Sequence, residues 1–252
     1  GANGAFRLLE YDELRDVIGR DVLPGRMAKR QYVLRVRGGV RQLALTGDKG
    51  VRVLFQVAGA EAERATINLA YIHGNGGNRK QGMNIRSFGG NFGRLQNLVL
   101  KAGGRYLSPG FADFGAKGEA QLALLISHAK SKSPNAPFVL ACGSQGSLLC
   151  WRLAKSDKIG PLVDGLVILG GWTDPALLKL PKPLPVFIAH GSRDPIAPWQ
   201  ERKNFLDSVL ASNPNYPIRM DLFDGGIHGT PIRMVDWRLV LNWIAEKVAR
   251  NG

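Results

Sequence analysis

Hydrophobic and polar positions along this chain of 252 residues fall into two regimes. Three short β-type runs, Gln31–Arg37, Arg41–Thr46 and Val51–Val57, are separated by Gly-Gly and Gly-Asp-Lys-Gly turns. Connections that short join antiparallel strands. Ahead of them, a helical pattern around Glu10–Ile18 is broken by Pro24 and Gly25, which predicts an N-terminal extension over residues 1–30. From residue 65 onward, strand-type and helix-type patterns alternate. The strands predicted are Thr66–Ile72, Arg105–Ser108, Phe138–Cys142, Gly165–Leu169, Val186–Ala189 and Ile218–Phe223. The helices predicted are Phe92–Ala102, Gly118–Ser131, Gln145–Ala154, Trp199–Ala211 and Met234–Ala249, the last with an apolar stripe of Val235, Leu239, Trp243 and Val248. Such alternation predicts an α/β fold: a mostly parallel central sheet, antiparallel at its N-terminal end, with helices on both faces. No internal repeat or Gly/Ser/Pro linker divides the chain, so residues 1–252 read as one domain with residues 1–30 packed on it.

The junction between the run Phe138–Cys142 and the helix from Gln145 carries the most chemistry. An apolar strand ends, a small-residue turn puts Ser144 at its tip, and a helix begins at once. This is the layout of a nucleophile elbow, in which a tight strand-to-helix turn lifts a serine hydroxyl clear of the sheet. The positions two before and two after the serine must be small, and here they are Cys142 and Gly146. Cys142 and Ser147 fail the same test as nucleophiles: the residues flanking them at that spacing are Leu140 and Ser144, and Gln145 and Leu149. Downstream, Asp194 in His190-Gly-Ser-Arg-Asp194-Pro-Ile-Ala-Pro198 and His228 in Phe223-Asp-Gly-Gly-Ile-His228-Gly each follow a predicted strand. Among the four histidines, His128 falls within a helix and His73 and His190 end strands, which leaves His228 as the candidate base.

Antiparallel strands leading into a βα series with an elbow serine midway resemble the α/β-hydrolase family, over residues from about 31 to 250. In particular, the chain looks like the small carboxylesterase and lysophospholipase-type members. His73-Gly74-Asn75-Gly76-Gly77, the Ser144 elbow and the Asp194 segment carry the likeness, the last being close to the family pattern HGxxDPxxP. The resemblance implies a Ser144–His228–Asp194 triad, with His228 as base and Asp194 fixing its tautomer. It also implies oxyanion donors on the backbone of Gln145 and Asn75. Some members place the acid after the preceding strand, where Asp174 stands; the Asp-Pro-Ile-Ala-Pro context favours Asp194, and Asp221 and Asp224 belong to the last strand and its turn. Two departures are Cys142, where the family usually has Gly, and Gly143, where a larger residue is common. Only about fifteen residues separate the strand ending near Leu169 from the next, and Pro181, Pro183 and Pro185 discourage helices there, so no substantial cap is expected.

The net charge of +14 points to solubility or to an anionic substrate, acidic polymer or membrane surface as partner. Six of the 34 basic residues lie between Arg26 and Arg41. No nucleic-acid-binding motif accompanies the charge, no apolar run is long enough to span a bilayer, and no metal or cofactor motif is present. His73-Gly-Asn-Gly-Gly lacks the spacing of a dinucleotide site and the Lys-Ser/Thr of a phosphate-binding loop. The loop from Gly74 to Asn91 exceeds the usual span of about 2–6 residues and is rich in amides and cations. It reads either as a mobile surface loop or, through Arg79, Lys80 and Arg86, as a basic rim for an anionic or sugar-bearing substrate. Trp172 is a candidate stacking platform, and Trp199 follows the next strand. Two cysteines make no disulfide framework; Cys142 in a strand and Cys150 two turns into a helix are expected to be buried thiols rather than a bridge.

The chain thus reads as a cofactor-free serine hydrolase of carboxylic esters, with a small-molecule or glycan-linked ester as substrate. A thioesterase, amidase or peptidase with the same triad, and a non-catalytic binding protein on a hydrolase scaffold, are the alternatives. The first residue is Gly, so the compartment is periplasmic or secreted if that end is signal-cleaved and cytoplasmic otherwise.

Overall fold

A computed structural model describes residues 4–22, 26–34, 38–180 and 183–251. Among these, nine strands form one sheet in the order β1-β11-β10-β9-β8-β6-β7-β5-β4. The strands are β1 (Phe6–Glu10), β4 (Arg41–Thr46), β5 (Arg52–Gly59), β6 (Asn68–Ile72), β7 (Arg105–Gly110), β8 (Phe138–Gly143), β9 (Gly165–Leu169), β10 (Val186–Gly191) and β11 (Ile218–Asp224). Pairing is parallel from β1 to β7, and only the β7–β5 and β5–β4 pairs are antiparallel. The predicted α/β sheet with an antiparallel end is therefore what forms.

Side-chain alternation along the central strands builds two cores. On β8, Phe138, Leu140 and Cys142 enter one core while Val139 and Ala141 enter the other. Strands β6, β9 and β10 divide in the same way, as the two-residue period of a strand buried on both faces requires. Helices α2 (Ala116–Lys132), α3 (Gly146–Lys155) and α4 (Trp199–Ser212) cover the Cys142 face; α1 (Asn91–Lys101), α5 (Thr230–Met234) and α6 (Trp237–Asn251) cover the opposite one. Between β9 and β10 the described residues carry only a short 3₁₀ turn, Pro175–Lys179, in keeping with the absence of a cap.

Five expectations are corrected. The N-terminal stretch does not simply pack on the domain: β1 is the edge strand of the main sheet, parallel to β11, and its Arg7 pairs with the buried Asp221 at 2.5 Å. The helix expected over Glu10–Ile18 shrinks to a single wide turn, Leu14–Ile18, because Glu10 already belongs to β1. It is followed by a small hairpin of β2 (Asp21–Val22) and β3 (Met27–Ala28). The strand expected over Gln31–Arg37 is a 3₁₀ turn at Arg30–Tyr32, and Arg35–Arg37 lie outside the described residues. The last helix is broken, because Val235 is extended and Asp236 Oδ1 accepts the N–H groups of Arg238 and Leu239, capping α6 afresh.

The fifth correction concerns the cysteines. Cys142 and Cys150 form a disulfide, with Cα atoms 6.6 Å apart. Two helical turns would separate them if the chain ran straight on. The elbow instead reverses it, so α3 runs back beneath the Cys142 face of β8 and presents Cys150 to that face. Both are fully buried, as expected.

Candidate active site

The sheet places the ends of β6, β8, β9, β10 and β11 side by side, and the loops leaving them build the site. Ser144 follows β8 with φ +47°, a left-handed conformation that side chains rarely adopt. Its N–H donates to Leu169 O at 2.9 Å, and its own carbonyl accepts from Ser147 N–H at 3.0 Å, so both flanks of the turn are fixed. Three glycines allow the close approach. A Cβ on Gly146 would lie 2.6 Å from Ile72 O, and one on Gly143 would lie 2.6 Å from the Tyr71 hydroxyl. A Cβ on Gly74 would lie 2.8 Å from that of Ser144. Gly143 is thus required here by the buried Tyr71.

His228 leaves β11 on a Gly-rich loop. Its Nε2 is 2.8 Å from Ser144 Oγ and its Nδ1 is 2.7 Å from Asp194 Oδ2. A carboxylate can only accept, so Nδ1 carries the proton and Nε2 is left to accept from the serine hydroxyl. The Asp194 carboxylate is fully buried, and its Oδ1 accepts from the N–H groups of Ile196 at 2.9 Å and Ala197 at 3.2 Å. Buried charge needs such donors, and the turn Asp-Pro-Ile-Ala supplies two. His190, which sequence reasoning set aside as loop support, stands behind this carboxylate: its Nε2 is 2.7 Å from Ala197 O and 3.2 Å from Asp194 Oδ2. Burial pushes its pKa below the ordinary histidine value, although Ala197 O and Asp194 act the other way. Gly170 (φ +60°) completes the seat, since a Cβ there would lie 2.9 Å from His228 O.

The structure brings Ser144, Asp194 and His228 into one hydrogen-bonded series and sets the loop after β6 against it. The N–H groups of Asn75 and Gln145 have no partner among the described residues, and Asn75 Oδ1 accepts from Gly76 N–H. Asp174 is elsewhere: it pairs with Lys155 at 2.5 Å and caps the 3₁₀ turn at Ala176. Trp172 is half-buried, its backbone held by Ser147 Oγ and Trp151 Nε1. Of the loop cations, Lys80 is exposed, and Arg86 turns away to donate from Nε to Ala28 O at 3.2 Å. Arg79 instead lines a cavity of about 340 Å³ together with His73, Phe111, Gln121 and Arg52. His73 stacks on Phe111 with ring centroids 4.1 Å apart, and burial lowers its pKa. Sequence reasoning missed Arg52 on β5, Phe111 just after β7 and Gln121 on α2, which are distant in sequence and carry no motif. Among the described residues no three His, Cys, Asp or Glu side chains gather as a metal site would need, and no helix is long and apolar enough to cross a membrane.

No family model matches the chain, and no curated protein matches it in sequence. Solved structures match it in fold. A thermostable esterase superposes with a TM-score of 0.63 at 14% identity over 82% of this chain, which spans 62% of the length of that enzyme. An α/β serine hydrolase without lid from Xanthomonas campestris gives 0.58 at 15% identity, over 84% of this chain and 94% of that one. An esterase from Pyrococcus furiosus gives 0.58 at 15% identity, over 84% and 89%. The fold is that of the α/β-hydrolases, and the structures that share it are esterases and serine hydrolases.

Proposed function

We propose that this protein is a serine hydrolase that cleaves carboxylic esters through an acyl-serine intermediate. The observation that carries the reading is the unbroken series Asp194–His228–Ser144 at a left-handed turn. In this reading His228 Nε2 takes the hydroxyl proton as Ser144 Oγ attacks the ester carbon, and Asp194 holds the imidazolium that results. The negative charge developing on the carbonyl oxygen meets the unpartnered N–H groups of Gln145 and Asn75. His228 then returns the proton to the leaving alcohol, and water repeats the sequence to free the acid. The groove holding Arg79 and Arg52 adjoins the loop after β6, and we assign it to the polar or anionic part of the substrate.

A fluorophosphonate probe tests the chemistry, since only an activated serine reacts. Labelling is expected at Ser144 and should vanish in Ser144→Ala and His228→Ala. Both variants should lose ~10³-fold or more in kcat on p-nitrophenyl esters, Asp194→Asn less, while Asp174→Asn stays near wild type. An unlabelled wild-type protein would sink the enzyme reading.

A further inference from the structure

A second cavity, of about 420 Å³, opens between α1 and the α5–α6 corner and shares no residue with the Ser144 site. Its wall carries five cations, Arg20, Arg94, Lys101, Arg233 and Arg238, against one carboxylate, Asp236. That carboxylate is already engaged in capping α6. Behind the wall lies the buried Asp21, which accepts from Arg20 Nε at 3.1 Å and from Arg233 Nη1. Arg94 pairs with no carboxylate among the described residues; its Nη1 donates to Gly89 O at 3.0 Å. Arg20 and Arg233 share that one buried carboxylate and Arg94 pairs with none, so these three guanidinium groups carry two positive charges beyond it. Taking charge out of water is costly unless a counter-charge accompanies it.

Two further groups at this wall want an acceptor. Arg20 Nη2 and Trp237 Nε1 are both buried and have no hydrogen-bond partner among the described residues. Native structures leave few buried donors in that condition. Burial and the neighbouring Arg20 both work against the charge on Arg94, a tension that an anion would relieve. The guanidinium groups of Arg20 and Arg233 are anchored through Asp21, so little side-chain freedom remains to be lost on binding.

We propose that this cavity is a binding site for a phosphate-type dianion, either inorganic phosphate or a small phosphate monoester. The five cations of its wall exceed Asp236 and Asp21 by three, an excess that suits the charge of about −2 on such a group, and phosphate oxygens accept from guanidinium forks and from an indole N–H. The cavity also touches the machinery next door. Arg233 lies on α5, five residues after His228 in sequence, and its guanidinium sits 6.0 Å from the Phe88 ring, which packs beside Gly229. An occupant would brace the segment that carries His228.

Titration calorimetry of the full chain tests the site, with inorganic phosphate and glycerol 2-phosphate as probes and chloride at matched ionic strength as control. Saturable binding of either probe is expected, with none for chloride. Tighter binding of the monoester would indicate a phosphorylated ligand and equal binding free phosphate, and both support the site. Arg94→Gln breaks no carboxylate pair and should weaken binding about tenfold or more, since its hydrogen bonds would be charge-assisted. Trp237→Phe keeps the shape, removes the unpartnered N–H, and should weaken binding about fivefold. Lys101→Gln, on the exposed rim, gives a third variant if either of these fails to fold. Absence of saturable binding, or affinities unchanged in all folded variants, would overturn the proposal.

Discussion

Ser144 holds its backbone at φ +47°, and that conformation is what separates its hydroxyl from the sheet and brings it to His228. A non-glycine residue there costs of order 1–3 kcal/mol, which the surrounding contacts must hold in place. Ser144→Ala and Ser144→Gly both remove the hydroxyl and differ only in the Cβ. The glycine variant is therefore expected to be the more stable by about 1 kcal/mol, read as a higher midpoint in urea unfolding. Equal midpoints would mean the turn is unstrained. At this scale motif and spacing singled out Ser144, Asp194 and His228, and the structure sets the three in one hydrogen-bonded series. It was silent on His190 and Gly170, whose part depends on what stands behind Asp194 and His228. It was also silent on which loop cation faces the groove. Arg79 and Arg86 look alike in sequence, yet one lines a cavity and the other donates to Ala28 O. Replacing Arg79 and Arg52 by Gln should lower kcat/KM for an anionic ester several-fold, and added salt should erase the difference. A neutral ester of the same alcohol should be unaffected by the double change.

The elbow is where elements meet, and there the sequence misled. Spacing along a helix argued against a Cys142–Cys150 bridge, because the reading treated strand and helix as consecutive in space as well as in sequence. The turn at Ser144 folds α3 back along β8, and the bridge then closes a short loop around Ser144. Closing a loop of this size stabilises a chain by roughly 2.5 kcal/mol in the loop-entropy account. Cys142→Ala with Cys150→Ala is expected to lower the melting temperature by about 5–10 °C, as calorimetry would read it. A fall in activity larger than the fall in stability would add that the bridge also aims the serine. The break before α6 had a legible signal, since Asp236 stands where a helix cap belongs. Strand β1 had none: its pairing with β11 and the Arg7–Asp221 bond join residues 214 apart in sequence. An edge strand with one exposed face also lacks the continuous apolar run that marks the central strands.

Across the whole molecule, the strands after residue 65 pair parallel with one another, as the alternation of patterns predicts, while β1, from before that point, joins them in parallel and β7 also pairs antiparallel with β5. Local periodicity determines which strands need cover on both faces, and β6, β8, β9 and β10 show it in full. The same two-sided burial has a consequence for acid stability. His73, at the end of β6, and His190, at the end of β10, are both held below the ordinary histidine pKa chiefly by loss of water. Around His190 stand Asp194, which raises its pKa, and Arg202 and His228, which lower it. In the unfolded chain both histidines titrate near the ordinary value of about 6.5. Above that pH neither state carries the extra protons, and stability is flat with respect to these groups. As the pH falls below about 6.5 the unfolded chain takes up protons that the native protein refuses, so stability declines, by at most about 1.4 kcal/mol per pH unit for each histidine. The loss continues until the depressed native values are reached. Urea unfolding at a series of pH values from neutral to mildly acidic should show this decline. His190→Gln keeps a donor for Ala197 O and removes one titrating group, so its stability should fall less steeply over the same interval. An unchanged slope in that variant would mean that His190 is not among the groups that set it.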